Sequence, residues 1–390
     1  MGLTNRPAAA SLILGRVVYS INWFNLAAVF FAASELNQNV TGLGLVTSSF
    51  YIGVGVFQIP AGVLAARIGP RLTAIYGTTC ASLAVLLTAV AGNLTELAIL
   101  RFFVGVGMAF VFAPGIILIT RCLRKGSEGF GVGIYSSAFN LGGAIGLSGW
   151  AVLAVITGWR MSLAISGLLG LFTSGLLIFT IPKDKQNSDF RLDLTHLKLA
   201  LLDKRLILLS VTLLAFGVGN AIIGNFIVYY LESIGLSPGI AGAMGSVYLL
   251  LGLAIAPLSG KLFDRVRDVR VLILVSGVLT SLSLGVAFLG TTAAVVFAVI
   301  VNGLAVGAGM TFVYSAARTI KKASPEYDTL SVSMVNSVSL FCSFLPLIFF
   351  SNIAYVSGYP FAWLCSAVLT LVLIAPMLLD VSKTKLALRR

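Results

Sequence analysis

An all-helical membrane protein of twelve transmembrane helices is the fold class this sequence predicts, on three observations. Hydrophobic residues make up 58% of the chain and charged residues only 10%. A soluble domain carries about 25% charged residues, so this chain has too few to cover a water-facing surface. Apolar stretches recur at roughly 20 residues, the length of helix that crosses ~30 Å of hydrocarbon, and none alternates in the segments of about ten expected of a membrane barrel. Short motifs also return at half the chain length: Gly44, Ser48 and Gly62 reappear as Gly242, Ser246 and Gly260, an offset of 198. Parallel repeats of this kind suggest two six-helix bundles related by a pseudo-twofold axis along the membrane normal.

In chain order the predicted spans are Leu12–Ala33, Gly44–Ala66, Thr73–Ala91, Leu97–Thr120, Phe130–Ile156 and Ser162–Ile181, then Leu206–Leu231, Ile240–Leu262, Val271–Leu289, Ala293–Ala317, Thr329–Val356 and Phe361–Leu379. Residues 1–181 form the expected N-terminal bundle, 182–205 a cytoplasmic linker and 206–390 the C-terminal bundle. Within the linker, leucines mix with Asp189, Asp193, Lys198 and Asp203. This pattern is compatible with a short amphipathic helix at the membrane surface.

The net charge of +13 invites a nucleic-acid reading, and the placement of the charge argues against it. Of the 26 Lys and Arg residues, all but Arg16, Arg101 and Arg160 fall in segments on one face of this topology. Basic short loops mark the cytoplasmic side. The expectation is a multi-pass protein of the cell membrane with both termini cytoplasmic, in contact with lipid and a small-molecule solute and not with nucleic acid. The four cysteines stand singly and the one histidine, His196, sits in the polar linker, so no cofactor or metal is expected. No cleavable signal is evident. Two sequons, Asn39-Val-Thr41 and Asn93-Leu-Thr95, fall in loops too short to make good acceptors and read as chance.

The repeat extends into the fourth and tenth spans, where Gly105-Val-Gly107-Met108-Ala-Phe110 is echoed by Gly307-Ala-Gly309-Met310-Thr-Phe312. After the second span comes Gly62-Val-Leu64-Ala-Ala66-Arg67-Ile-Gly69-Pro-Arg71, and after the eighth Gly260-Lys-Leu262-Phe-Asp264-Arg265. The fourth span opens with Arg101-Phe-Phe-Val-Gly105-Val-Gly107-Met-Ala109. In the order and spacing of these motifs, along essentially its full length, the chain resembles the major facilitator superfamily. That family's loop signature reads approximately G-x-L-x-D-R-x-G-R-[RK], and its fourth-helix signature R-x-x-x-G-x-G-x-[AG]. The resemblance implies a secondary transporter, a monomer, working by alternating access. It makes Gly62, Arg67, Arg71, Gly260, Asp264 and Arg265 candidate gating residues.

Ionisable groups inside a bilayer are expensive and are therefore default functional candidates. Arg101 is foremost. It either snorkels to the outer interface or, as the family motif implies, sits between helices near a cavity. Arg16 and Arg318 read as snorkelling at cytoplasmic ends. No Asp, Glu or His lies deep in any span. Glu35 and Glu232 stand at the outer ends of the first and seventh spans, so proton coupling has no visible relay. The uncharged candidates for solute binding are Asn22, Trp23 and Asn25, Tyr51 and Gln58, Asn140, Asn220, Asn225 and Tyr229, Tyr248, Asn302 and Tyr314, and Asn336. Each asparagine can equally serve as glue between helices, worth about 0.6 kcal/mol.

The leading function is transport of a small organic solute, anionic through Arg101, by a rocker-switch cycle. Efflux of amphipathic compounds is the alternative, although the fifth span has Gly142-Gly143 where the family's exporters carry Gly-Pro. That span, Ser136–Gly146, is somewhat similar to the signature of nitrate porters, but the second and eighth spans lack the arginines that would hold the anion. Tyr19–Ala28 is similar to the first helix of organic-anion symporters, with Asn22-Trp23 in place of their Asp-Arg pair. An enzyme would need a clustered acid, base, nucleophile or metal set, and none is present. A receptor would need a soluble domain or a long tail. Neither reading is adopted.

By family analogy, Asp264 latches onto the N-terminus of the fifth span near Gly129–Gly131, whereas Ala66 stands where the matching acid is expected. The latch is then asymmetric. Asp264→Ala should lower solute uptake in vesicles more than Ala66→Asp does, and equal losses would count against the asymmetry.

Overall fold

The computed structural model describes residues 5–33, 36, 39–123, 128–183, 202–266, 268–319 and 325–379. Among them are twelve helices long and apolar enough to cross a membrane, as the sequence predicts. The helices are α1 (Arg6–Val29), α2 (Val40–Ile68), α3 (Pro70–Thr88), α4 (Leu94–Arg121), α5 (Glu128–Thr157) and α6 (Trp159–Thr180). They continue with α7 (Lys204–Ser233), α8 (Pro238–Arg265), α9 (Val269–Ala287), α10 (Thr292–Thr319), α11 (Pro325–Cys342), α12 (Phe344–Ser357), α13 (Tyr359–Ile374) and α14 (Pro376–Leu379). The eleventh span, Met334–Ser357, crosses the α11–α12 break, and the twelfth, Tyr359–Leu378, runs through α13 and α14. Most of the linker with His196, Glu35, and the side chains of Asp264 and Arg318 lie outside the described residues.

Polar caps set where several helices begin. Asn5 Oδ1 accepts from the Ala8 N–H at 3.2 Å, so α1 starts ahead of the predicted Leu12. Asn39 Oδ1 accepts from Gly42 N–H at 2.9 Å and starts α2 at Val40. At α4, Asn93 Oδ1 accepts from Glu96 N–H at 2.9 Å, and the Glu96 carboxylate accepts from Gly92 N–H at 2.8 Å and Asn93 Nδ2 at 2.9 Å. These contacts satisfy donors that an α-helix leaves open at its N-terminus. Both sequon asparagines are thus helix caps, which gives the asparagines of the two motifs a structural reason.

The described chain divides into two compact units. One holds Met1–Leu192 and Asn225–Ser246, and the other Asp193–Gly224 and Val247–Arg390. In the first unit α4 packs on α2 and α3, α1 on α5 and α6, and α3 on α6. In the second, α9 packs on α10 and α13, repeating the α3 pairings. The first unit buries Leu12, Ile75, Leu118, Tyr135 and Leu177 in one cluster, and the second Leu209, Phe216, Ile273, Phe312 and Val335 in another.

Small residues let the helices meet, since lipid supplies no hydrophobic force between them. A Cβ on Gly105 would strike the Phe50 carbonyl oxygen and come within 3.0 Å of Val54 N, and one on Gly53 would strike the Phe102 carbonyl. The same crossing recurs in the second unit. There a Cβ on Gly307 would lie 2.8 Å from Gly252 Cα, and one on Gly303 2.6 Å from the Tyr248 carbonyl oxygen. Of the repeated residues near α8's start, Gly242 brings α8 against the Leu147 carbonyl, and Ser246 Oγ donates to Ala144 O at 2.7 Å. A Cβ on Gly62 or Gly260, by contrast, would meet nothing within 4 Å. The close approaches are made inside the bundles and not at the signature glycines.

A second repeated device joins the fifth helix to the sixth in each half. Gly158 (φ +83°) ends α5 and starts α6, and Gly358 (φ +86°) does the same between α12 and α13. One residue reverses the chain, and only glycine takes this dihedral without strain.

Gly105→Leu should destabilise the detergent-solubilised protein by about 1–3 kcal/mol or more, read as a lower midpoint of thermal unfolding. Gly62→Leu should leave the midpoint where it was.

Candidate functional site

The first unit concentrates its polar chemistry on α1. Arg101 of α4 is 2% exposed and reaches across to that helix. Its Nη1 donates to Asn22 O at 3.1 Å and Asn25 Oδ1 at 3.4 Å, and Nη2 donates to Trp23 O at 3.3 Å. Phe50 of α2 covers one face of the guanidinium at 5.0 Å. Asn25 Nδ2 donates to Asn22 Oδ1 at 3.2 Å and to Ser166 Oγ at 2.9 Å, and the Ser166 hydroxyl in turn donates to Asn22 Oδ1. Three predicted residues therefore close into one network with Ser166 of α6, a residue whose bare Ser-Gly context in the sequence carries no signal. Arg101 is buried between helices and does not snorkel.

Trp23 faces the other way. Its ring stands edge-on to Phe50 at 4.7 Å, Tyr51 at 5.6 Å and Phe139 at 5.7 Å. Its Nε1 has no hydrogen-bond partner. The Tyr51 hydroxyl is close enough to Trp23 and Asn225 to sense them but forms no well-aligned hydrogen bond. Gln58 Oε1 is likewise unpaired. Tyr229 lies tilted against Phe30 and edge-on to Phe31, with centroids at 5.9 and 5.5 Å. Asn140 is half-buried on α5.

The second unit brings its predicted residues together in pairs. Tyr248 OH donates to Asn220 Oδ1 at 3.5 Å, a long contact, and Tyr314 OH to Asn336 Oδ1 at 2.7 Å. Asn302 is fully buried and donates to Ser283 Oγ at 3.2 Å. The unit thus uses these side chains to join helices, and Asn302 Oδ1 stays unpaired.

Arg16 is the residue that the sequence reading misplaced. Expected to snorkel, it is 5% exposed, with its guanidinium carbon 4.4 Å from the ring centre of Tyr19, 4.7 Å from Phe139, 4.8 Å from Tyr135 and 5.1 Å from Phe112. The rings come from three helices and close over the side chain before it can reach an interface. Its spacing from Tyr19 and Trp23, one and two turns along a single helix face, is the signal that pointed there. Among the described residues no carboxylate pairs with Arg16 or Arg101. None of those residues forms a group of three His, Cys, Asp or Glu able to hold a metal.

Among the candidate gating residues, Arg67 and Arg265 are exposed, and Arg71 ends a helix. Its Nε donates to Ile181 O and its Nη2 to Ile178 O, both at 2.7 Å, covering the C-terminal carbonyls of α6. Arg160, in the first turn of α6, returns the contact to the end of α3, donating to Ala89 O at 2.8 Å and Ala91 O at 3.0 Å. A cation at a helix C-terminus is favoured by the helix dipole and satisfies open carbonyls, so the antiparallel α3–α6 pair is clamped at both ends.

The α1–α4 network predicts energetic coupling. A double-mutant cycle of Arg101→Met and Asn25→Ala, read by thermal unfolding in detergent, should give an interaction energy of about 0.5–3 kcal/mol. An additive cycle would show that the two side chains do not support each other.

The comparisons with known proteins agree with this architecture. The family model described as Major Facilitator Superfamily matches residues 12–345. The chain is 29% identical over 175 residues to a probable sulfoacetate transporter of Cupriavidus necator, a match covering 43% of this chain and 41% of that protein. It is also 29% identical over 191 residues to a gallate transporter of Pseudomonas putida, covering 46% and 42%. The match therefore spans less than half the length of these relatives. Among solved structures, a bacterial homologue of the human lysosomal transporter Spinster, in an inward-facing and occupied conformation, superposes with a TM-score of 0.79 over 96% of each chain at 16% identity. At that identity the likeness is one of fold alone. With the family model covering most of its length, the chain belongs to the Major Facilitator Superfamily.

Proposed function

We propose that the protein is a secondary transporter that carries a small organic anion across a cell membrane by alternating access. One observation carries the reading: two guanidinium groups, Arg16 and Arg101, are buried inside membrane-spanning helices with no carboxylate partner among the described residues. Removing a cation from water carries an effective penalty of several kcal/mol, and in hydrocarbon such groups mark solute paths. A bound anion offsets that penalty on each cycle, whereas a neutral amphiphile would not.

The relatives support the same class. Besides the sulfoacetate and gallate transporters, matching proteins are named a probable L-galactonate transporter of Escherichia coli, a hexuronate transporter of Bacillus subtilis and a 4-hydroxybenzoate transporter of Pseudomonas aeruginosa. All of these named solutes are acids. The orientation proposed is that of the basic loops, with both termini cytoplasmic, and the working form is a monomer in lipid. The proposed lobes are the repeated halves, 1–181 and 206–390, joined by 182–205.

Uptake into proteoliposomes tests this. Saturable accumulation of at least one radiolabelled organic acid, inhibited by other acids and not by their amides, is the expected result, with its dependence on an imposed pH gradient revealing any proton coupling. Accumulation or extrusion of neutral amphiphiles alone would overturn it.

A further inference from the structure

Arg16 and Arg101 meet the bilayer in different ways, and the difference assigns them different work. Arg101 spends both terminal nitrogens on α1: three hydrogen bonds to acceptors at Asn22, Trp23 and Asn25 hold α4 against that helix and leave only Nε unpaired. Arg16 has a ring cage, with the Tyr19 and Tyr135 hydroxyls close enough to interact with its guanidinium, and two nitrogens left open. Four aromatic rings surround it, and its Nε and Nη1 have no hydrogen-bond partner. Ring faces attract a cation, but they accept nothing from N–H groups lying in the guanidinium plane. Unmade hydrogen bonds of a buried charged group carry a full desolvation penalty. If Arg16 were only a packing rivet, methionine or leucine would fill the same ring box without that penalty.

The open donors of Arg16 continue along α1. Ser20 and Trp23 follow at i+4 and i+7, on the same helix face, about 6 and 10 Å along the axis. Ser20 Oγ and Trp23 Nε1 are both buried without a hydrogen-bond partner, and so is the hydroxyl of Tyr51, edge-on to Trp23. Asn22 and Asn25, on the neighbouring face, are closed into the Arg101–Ser166 network. One side of α1 is thus satisfied by the protein, and the other presents a cationic donor followed by uncharged polar groups on an aromatic wall.

We propose that this second face recognises the solute: Arg16 takes the carboxylate of a hydroxylated organic acid, and Ser20, Trp23 and Tyr51 take its hydroxyl groups. Arg101 is a positioning residue that fixes α1. The assignment rests on the transport of organic anions proposed above and moves the charge-recognising group from Arg101 to Arg16. It also excludes an acid without hydroxyls as the best solute, since the uncharged polar atoms would then stay unpaired.

Purified full-length protein in detergent can be probed with 4-hydroxybenzoate, galactonate, benzoate and 4-hydroxybenzamide, reading both equilibrium binding and ligand-induced thermal stabilisation. The wild type should bind at least one of the two hydroxy acids, each hydroxy acid that binds more tightly than benzoate, and the amide not detectably. Arg16→Met should weaken that binding at least tenfold while leaving the unliganded melting temperature unchanged or raised, because an unpaired buried charge has been removed. Arg16→Lys should fall between. Ser20→Ala should weaken the hydroxy acid about threefold to tenfold and leave benzoate unaffected. An Arg16→Met variant that binds like the wild type would overturn the assignment. So would one that unfolds, if Arg16→Lys folds and keeps full affinity, or a Ser20→Ala variant that changes both acids equally. Each of these outcomes leaves organic-acid transport standing as long as the wild type accumulates an acid. A wild type that neither binds nor accumulates any acid would sink both readings.

Discussion

A cation inside hydrocarbon must find something to replace its lost hydration, and α1 is built around two answers to that requirement. Arg101 is answered by the protein at both terminal nitrogens, with only Nε left open. The carbonyls of Asn22 and Trp23 and the side chain of Asn25 lie where a guanidinium from α4 can reach all of them, and Phe50 closes over the remaining face. Arg16 is answered in part, by ring faces and the nearby Tyr19 and Tyr135 hydroxyls, while its Nε and Nη1 stay open. The first arrangement is a structural joint. The second leaves two donors without a partner among the described residues, and the anion recognition proposed above rests on that opening.

The surrounding scaffold serves to hold α1 and its neighbours at fixed distances. Lipid gives helices no hydrophobic reason to associate, so close backbone approach and polar contacts take that role. Gly53 and Gly105 bring α2 and α4 into backbone contact, which sets Phe50 and Tyr51 beside Trp23. Gly142, whose Cβ would strike the Val17 backbone, brings α5 onto α1 and so delivers Phe139 to Arg16. The glycines that shape the candidate site are therefore those of the helix crossings. Arg71 and Arg160 act in the same spirit at the helix ends. Each sits near the start of its own helix and covers the carbonyls at the end of the other, so a residue of the family's loop signature is also a cap.

Repetition in the sequence corresponds to repetition in the packing, though not in the chemistry. Gly105 and Gly307 make the same kind of crossing in the two units, and Gly158 and Gly358 the same kind of reversal. The polar residues differ. The first unit holds two buried arginines, whereas the second uses Asn302, Tyr314 and Asn336 in neutral contacts between helices. The backbone geometry, which small residues dictate, is alike in the two units, and the buried polar side chains are not.

The sequence by itself determined the solvent, the twelve spans and the doubled organisation, because hydrophobic length, charge placement and motif spacing are sums along the chain and need no knowledge of which helix meets which. It also singled out Asn22, Asn25 and Arg101, whose polarity inside apolar runs is conspicuous. Only the tertiary structure decided which polar groups are already satisfied. Ser166 lies far from Asn22 in sequence yet completes its network, and Phe112, Tyr135 and Phe139 must arrive from α4 and α5 before Arg16 is enclosed and kept from an interface. Whether a buried donor is occupied or open depends on partners brought by other helices, and that information exists only once the helices have packed.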